Sequence, residues 1–249
     1  MATISVVIPT HNDAGPLAVC LAALARQSRR PDAVIVVDNG STDGTDAVCA
    51  AAGVRRIPAD VAGIAAATAL GFDAADTDII ARLDTDSIPP ADWLERVEAL
   101  LAGAAPPTAV SGPGDFYGGT VLARWAGRSI WIAGYHRVVG LLLGHPPLFG
   151  SNFAMHSSAW ALIRDAVHRG LPAVHDDLDI SYQLPAQVTV IWEPTLRVGV
   201  SARPFESAGA VWRRLAMAWT TFAVDFAADP PLARRRRRRD YRRGLTRPN

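Results

Sequence analysis

The sequence predicts an α/β protein built on a doubly wound, mixed but mostly parallel sheet, flanked by helices and carrying a C-terminal helical extension. Three observations predict it. Strand-like and helix-like segments alternate from the first residues onward, the pattern of a parallel sheet with crossover helices. Two of the strand-like runs end on acids, Asp38 and Asp84, at the carboxyl edge where open α/β sheets bind ligands. The turn after the first of them, "GSTDGT" at 40–45, is rich in residues that leave backbone N–H groups free at a helix start.

In order, "TISVVIPT" (3–10) is a short β-branched run closed by Pro9, a buried strand by pattern. Leu17, Leu21 and Leu24 then share one helical face, with Asp13 placed to cap it. "AVIVVDNG" (33–40) is a second strand, and the helix after it ends at Gly53. A brief "VRRIPA" strand, an Ala-rich helix over 64–75 and "DIIARLD" follow. Residues 91–103 form an amphipathic helix, and 121–144, with Trp125, Trp131 and Tyr135, suit an amphipathic or partly exposed one. The segment 150–167 turns from loop into helix, and "VTVIWEP" (188–194) is a late strand. Val211, Leu215, Trp219, Phe222 and Phe226 lie on one face of a C-terminal helix that Pro230-Pro231 ends.

The chain has 249 residues, almost half of them apolar, enough for one domain with a full core. Lysine is absent, and every basic charge is arginine. The net charge of +1 hides an asymmetry. Residues 229–249 hold nine Arg against two Asp, a local +7, and the remainder holds 16 Arg against 22 acids, or −6. Cys20 and Cys49 fall in Ala-rich helical stretches, as in a reduced intracellular protein. There is no signal-peptide pattern and no run of about 18 apolar residues. The expected location is cytoplasmic, with a peripheral position on the cytoplasmic face of a membrane as an option.

The chemistry concentrates in "LDTDSIPP", where Asp84 and Asp86 stand two residues apart at the end of an apolar run broken only by Arg82. Two like charges that close repel, and burial without a partner makes each more costly. One reading is a pair of loop acids, one of them capping the next helix. The other is a hard divalent cation holding a diphosphate, since Mg²⁺ is usually bound by one or two carboxylates plus substrate phosphates.

Five motifs, "VVIPTHND", "VVDNGSTDGT", "LDTDSIPP" with Trp93, "GSNFAM" and "HDDLDIS", resemble in order and spacing those of the family 2 glycosyltransferases. The resemblance covers roughly residues 3–200 and implies a GT-A fold, inverting transfer from a nucleoside-diphosphate sugar, UDP- or GDP-linked, and Mg²⁺ or Mn²⁺ as cofactor. It implies that Pro9, Thr10, His11, Asp13 and Gly63 line the nucleotide site and that Asp38 contacts base or ribose. Asp84 and Asp86 resemble the family's DxD pair, with Asp84 near the ribose and sugar and Asp86 on the metal. Asp177 resembles the catalytic base that takes the acceptor hydroxyl's proton, and a neighbouring acid, Asp176, predicts an upward push on its pKa. Asn152, His175 and Asp176 are candidate acceptor or diphosphate contacts, with His175 alternatively an orienting neighbour. Ile64 and Ala69 stand where the family is often basic and Asn, and Gln183 where it often has Arg. The absence of a "QxxRW" motif implies transfer of a single sugar.

The expected organisation is a catalytic domain over 1–204, an amphipathic helix over 205–228 and a flexible Arg-rich tail over 229–249. The tail beside an apolar, Trp-containing helix suits an anionic membrane surface and hence a lipid-linked or cell-envelope acceptor, or a helix that packs and leaves only the Arg run free. Nucleic acid is the weaker partner for it. A non-catalytic protein of the same fold, acting through the tail, is the alternative function. A nucleotidyltransferase ranks last, for it would carry a Gly-rich basic first loop in place of "PTHNDAGP".

Overall fold

The structure, a computed structural model, describes residues 1–120, 133–203 and 207–244. Trp125 and Trp131 lie outside them. The first half alternates as expected: β1 (Ile4–Thr10), α1 (Ala14–Leu24), β2 (Ala33–Asp38), α2 (Thr45–Ala52), β3 (Arg55–Pro58), α3 (Ile64–Asp73), β4 (Ile79–Arg82) and α4 (Trp93–Ala102). There follow β5 (Thr108–Ser111), β6 (Gly114–Tyr117), α5 (Ala133–Leu143), β7 (Phe153–His156), α6 (Ser157–Ala161), α7 (Asp176–Gln183), β8 (Thr189–Trp192), β9 (Val198–Ser201), α8 (Ala208–Ala228) and α9 (Pro231–Arg242).

The main sheet has seven strands in the order β3-β2-β1-β4-β7-β5-β8. Only β7 runs antiparallel to its neighbours β4 and β5. That strand occupies 153–156, which the sequence pattern reads as a loop passing into a helix; four residues are too few for a period of two to show. Two apolar layers cover the faces. One packs Leu17, Leu21 and Leu24 of α1 and Trp93 and Val97 of α4 against β1 and β4. The other packs Ala67, Ala69 and Phe72 of α3 with Trp160 against Val7, Ile35 and Val37. Ala69 is therefore core rather than a position facing ligand.

The two C-terminal helices close the molecule. Ala218, Phe222 and Phe226 of α8 pack on Val139 and Leu143 of α5 and on Leu178 and Tyr182 of α7. With Thr221 and Asp225, both buried, the packed face is rotated from the apolar one by roughly 50° at 100° per residue. Thr221 Oγ1 accepts the His175 N–H at 2.9 Å, and Asp225 Oδ1 accepts from Gln183 Nε2 at 2.9 Å. Asp179 and His168 join this cluster at 2.9 Å from each other, with His168 Nδ1 3.6 Å from Asp225. Burial and the Asp179 carboxylate push Asp225 up to about 8.

The Arg-rich tail, expected to be flexible, is a helix over 231–242. Pro231 starts it at the first turn, where a missing N–H costs nothing. Arg234 and Arg238, one turn apart and both buried, turn inward. Arg234 donates to Leu184 O at 2.6 Å, and Arg238 to Leu184 O and Pro185 O at 2.9 and 3.0 Å. The carbonyl end of α7 is thus capped by two guanidiniums, which suits its partial negative charge. Arg234 also lies 4.8 Å over the Tyr182 ring. Among the described residues no helix is long and apolar enough to cross a membrane.

Candidate functional site

The carboxyl ends of β1 and β2 are laced together before any ligand arrives. Asn12 takes a left-handed conformation (φ 52°), which asparagine tolerates better than most residues. Its N–H donates to Ser41 Oγ at 2.9 Å, and its Oδ1 accepts the Thr42 N–H at 2.8 Å. His11 contacts Asn39 O through Nδ1 at 2.7 Å. Asp13 precedes α1 but makes no side-chain cap there. Its carboxylate instead accepts from Thr85 Oγ1 at 3.0 Å and Arg203 Nη1 at 3.1 Å. Asp38 is buried behind the wall, accepting from the Ser41 N–H at 2.9 Å and from both Nε and Nη2 of Arg56 at 2.9 and 2.6 Å. Burial pushes its carboxyl up, but those hydrogen bonds outweigh burial and hold it below the usual range.

The positive charge demanded by Asp84 is Arg82. This arginine sits inside the sheet, 1% exposed, and reaches Asp84 Oδ1 at 2.7 Å and Asp176 Oδ2 at 2.8 Å. Burial alone would lower its pKa; the Asp176, Asp84 and Asp177 carboxylates outweigh it and raise it. The other oxygen of Asp84 accepts from Ser151 Oγ. Asp86 is different. It pairs with Arg203 at 3.6 Å, while burial and the Asp84 charge push its carboxyl up to about 6. Asp84 thus has both oxygens engaged by the fold, and Asp86 is the acid still short of positive charge.

The third element is the start of α7. His175 precedes the helix, and its Nδ1 lies 2.7 Å from Asp177 Oδ1. Asp177 Oδ2 accepts the Gly150 N–H at 2.7 Å. Burial would raise Asp177, but His175, Arg82 and the Gly150 N–H bring it down to about 2. The expected upward push from a second acid falls elsewhere: Asp176, buried between Arg82 and Thr68 Oγ1, is the carboxyl that burial raises. Burial pushes His175 down, but the Asp177 and Asp176 carboxylates together outweigh it and raise it. Gly150 is required where it stands. A Cβ there would run into Arg82 Nη1 and lie 3.0 Å from Asp177 Oδ2.

These pieces line one cleft of about 1160 Å³. Pro9, Thr10, His11, Asp13, Gly63, Asp84, Asp86, His175 and Asp177 all face it. Asp38, Asn152 and Asp176 do not. Asn152 is fully buried and ties α4 to the loop before β9, accepting from Trp93 Nε1 at 2.9 Å and donating to Leu196 O at 2.6 Å. Four arginines to which the motifs assign no role also face the cleft: Arg82, Arg203, Arg213 and Arg214. Arg82 had a signal, since a charge inside an apolar strand needs a carboxylate nearby. Arg203 follows β9 with no local pattern to mark it.

The donor chemistry fits a hard divalent cation at Asp86, whose carboxylate faces the cleft and is under-compensated, with room beside it for phosphate oxygens. His175, Asp176 and Asp177 form a second group with ligating atoms within 4.8 Å of one another. There, however, Asp176 is taken up by Arg82 and Thr68, and His175 by Asp177.

Residues 5–170 match the family described as glycosyl transferase family 2. The glycosyltransferase AglE of Haloferax volcanii is 33% identical over 108 residues, 40% of this chain and 36% of that relative. The chain is thus matched to little more than a third of the length of this curated relative. In fold, it is similar to glucosyl-3-phosphoglycerate synthase from Mycobacterium tuberculosis, solved with Mn²⁺, UDP-glucose and phosphoglyceric acid. The TM-score is 0.62 at 19% identity, covering 91% of this chain and 79% of that one. It is also similar to the mannosyltransferase PcManGT of Pyrobaculum calidifontis, solved with GDP-Man and Mn²⁺. Here the TM-score is 0.69 at 20% identity, covering 96% and 69%.

Proposed function

The chain belongs to glycosyl transferase family 2, and from that premise we propose that it moves a single sugar, with inversion, from a UDP- or GDP-linked donor to an acceptor hydroxyl. The observation that carries the reading is the division of labour between two carboxylates in one cleft. Asp177 is held ionised, down to about 2, by His175 and Arg82, and Asp86 is left short of positive charge. Environments that push two acids apart assign them different tasks.

Asp177 is the base. Its carboxylate takes the proton of the attacking hydroxyl, held in place by the Gly150 N–H and by His175. Inversion needs only this one carboxylate on the acceptor side, because a single displacement forms no covalent sugar intermediate. Arg82 holds Asp84 in one position toward the donor. Asp86 would hold Mg²⁺ or Mn²⁺, and the bound ion supplies charge that stabilises the departing diphosphate. Arg203, Arg213 and Arg214 add positive charge on the same cleft. The segment Pro9–Asp13 and Gly63 form the wall for the nucleoside, with Ile64 and Ala67 giving it an apolar surface.

The test is calorimetric titration with UDP and GDP, with and without Mn²⁺. Metal-dependent binding of one nucleotide is expected in the wild type and in Asp177→Asn. Asp86→Asn should weaken that binding at least about tenfold, and Asp177→Asn should lose transfer while keeping donor affinity. A folded protein that binds neither nucleotide, or an Asp177→Asn enzyme with normal turnover, would reject the reading.

A further inference from the structure

The apolar arc of α8 is wider than the part that packs. Trp212 and Trp219 are 73% and 77% exposed, and Leu215 between them is 45% exposed. At i, i+3 and i+7 they form one stripe along the helix. On α5, which shares an apolar cluster with α8, Val138 and Leu141 are exposed as well. The stripe is continuous with the cleft, since Val138 and Leu215 also line it. Residues 207–244 carry ten Arg against three Asp. Two of these arginines, Arg213 and Arg214, are on the cleft side of α8. The exposed Arg235, Arg236, Arg237 and Arg239 lie on α9, which packs against α5.

From this juxtaposition we propose that α5 and α8 form a face that adsorbs to an anionic lipid bilayer, with the cleft mouth opening at the bilayer surface. Tryptophans beside Leu and Val on one face, with arginines on the same helix and on the neighbouring α9, are what an interfacial helix presents to headgroups and acyl chains. A second copy of the chain is a poor occupant, because a two-fold contact would bring two such positively charged faces together. Nucleic acid would satisfy the arginines but leaves Val138, Leu141 and Leu215 without an apolar partner. The contact is interfacial, as no described helix is fit to span. Adsorption stands without the transferase reading. That it serves access to a membrane-borne acceptor rests on that reading.

The experiment is co-sedimentation of the full chain with phosphatidylcholine vesicles, with and without phosphatidylglycerol, and with competing duplex DNA in a parallel arm. The wild type should partition onto the anionic vesicles and not the neutral ones. Trp212→Ser/Trp219→Ser should bind at least about tenfold more weakly, with an unchanged melting temperature and unchanged UDP or GDP titration. Arg235→Glu/Arg236→Glu should lose the dependence on phosphatidylglycerol. Wild-type binding no greater to anionic than to neutral vesicles, or full binding by the double Trp variant, overturns the face. So do dimers that melt on the Trp substitutions, or DNA that displaces the protein from vesicles while the Trp variant behaves as wild type. Loss of adsorption with nucleotide binding intact rejects only the face. Absence of nucleotide binding in a wild type that adsorbs rejects only the proposed function.

Discussion

Along the wall made by β1, β2 and β4, the acids are engaged by the fold itself: Asp13 by Thr85 and Arg203, Asp38 by Ser41 and Arg56, Asp84 by Arg82 and Ser151. On α5 and α8, which also line this cleft, large apolar side chains are left in solvent. The first region is a polar frame in which these charges are fixed by the fold, with Asp86 alone of its acids left short of positive charge, so most of its geometry exists before ligand binds. The second is held from behind, by α7 and α9, and its front is left for something else to cover. A site that must position a reacting centre needs the first kind of construction. A site that must accept a large or mobile partner can use the second.

The largest expected effect breaks the frame. Replacing Arg82 by Met removes the counter-charge of two carboxyls at once, one of them 1% exposed. Breaking a buried pair from one side typically costs about 3–5 kcal/mol, about 10 °C or more in melting temperature for a chain this size. On the open face, Trp212→Ser should change stability by no more than about 0.5 kcal/mol. Thermal melts of the two variants test the contrast, and a mild Arg82→Met would mean that water or a mobile loop already screens the cluster.

The next effect lies where the two regions join. Asp225 faces Asp179 on α7, His168 in the preceding loop, Gln183, and Arg234 on α9. Folding raises its pKa to about 8, so the folded state holds the proton more tightly than the unfolded chain. Stability is then fullest below the ordinary carboxylate range, falls as pH rises through that range, and levels off above about 8. Asp225→Asn mimics the protonated acid. It should match the wild type under acidic conditions and exceed it by the order of 2–4 kcal/mol in mild alkali. Denaturant unfolding across that pH range checks it, and parallel curves for the two proteins would show that Asp225 does not titrate within it.

The same division governs how much could be read from the chain. The parallel strands and the acids at their ends are legible because each depends on residues within a few positions: a β-branched run, then an acid, then a turn. The alternation of β1 to α4 follows from that pattern alone. Asp177, in the first turn of α7, has no such local pattern and is singled out only by the resemblance of "HDDLDIS" to a family motif. β7 escapes it because a four-residue strand buried on both faces has no alternation to show. Asp38, Asn152 and Asp176 sit next to the cleft in sequence and behind its wall in space, since a motif specifies a neighbourhood and not which way each side chain points. The α8 face is misjudged for a related reason. Apolar spacing marks Trp219 and Leu215 as one face with Phe222, but packing is set by Thr221 and Asp225, whose partners on α7 lie about 40 residues away.

The smallest effect sharpens the comparison within a single helix. The Arg run of α9 reads as uniform in sequence, yet the structure divides it by helical period. Arg238 is 4% exposed and donates to two carbonyls past the end of α7, and burial pushes its guanidinium down to about 9. Arg236 is exposed and pairs only loosely with Asp240, at 3.7 Å. Truncating Arg238 to Ala leaves Leu184 O without one of its two guanidinium donors and Pro185 O without its own, and opens a void where the side-chain stem packed. A loss of about 1–3 kcal/mol is expected. Arg236→Ala should stay within about 0.5 kcal/mol and act, if anywhere, on vesicle binding. Equal and small losses for both would mean that α9 rests on the molecule without being fastened to it. The capping of α7 would then have to be supplied by solvent, and the basic charge of α9 would belong to a mobile segment rather than to a fixed face.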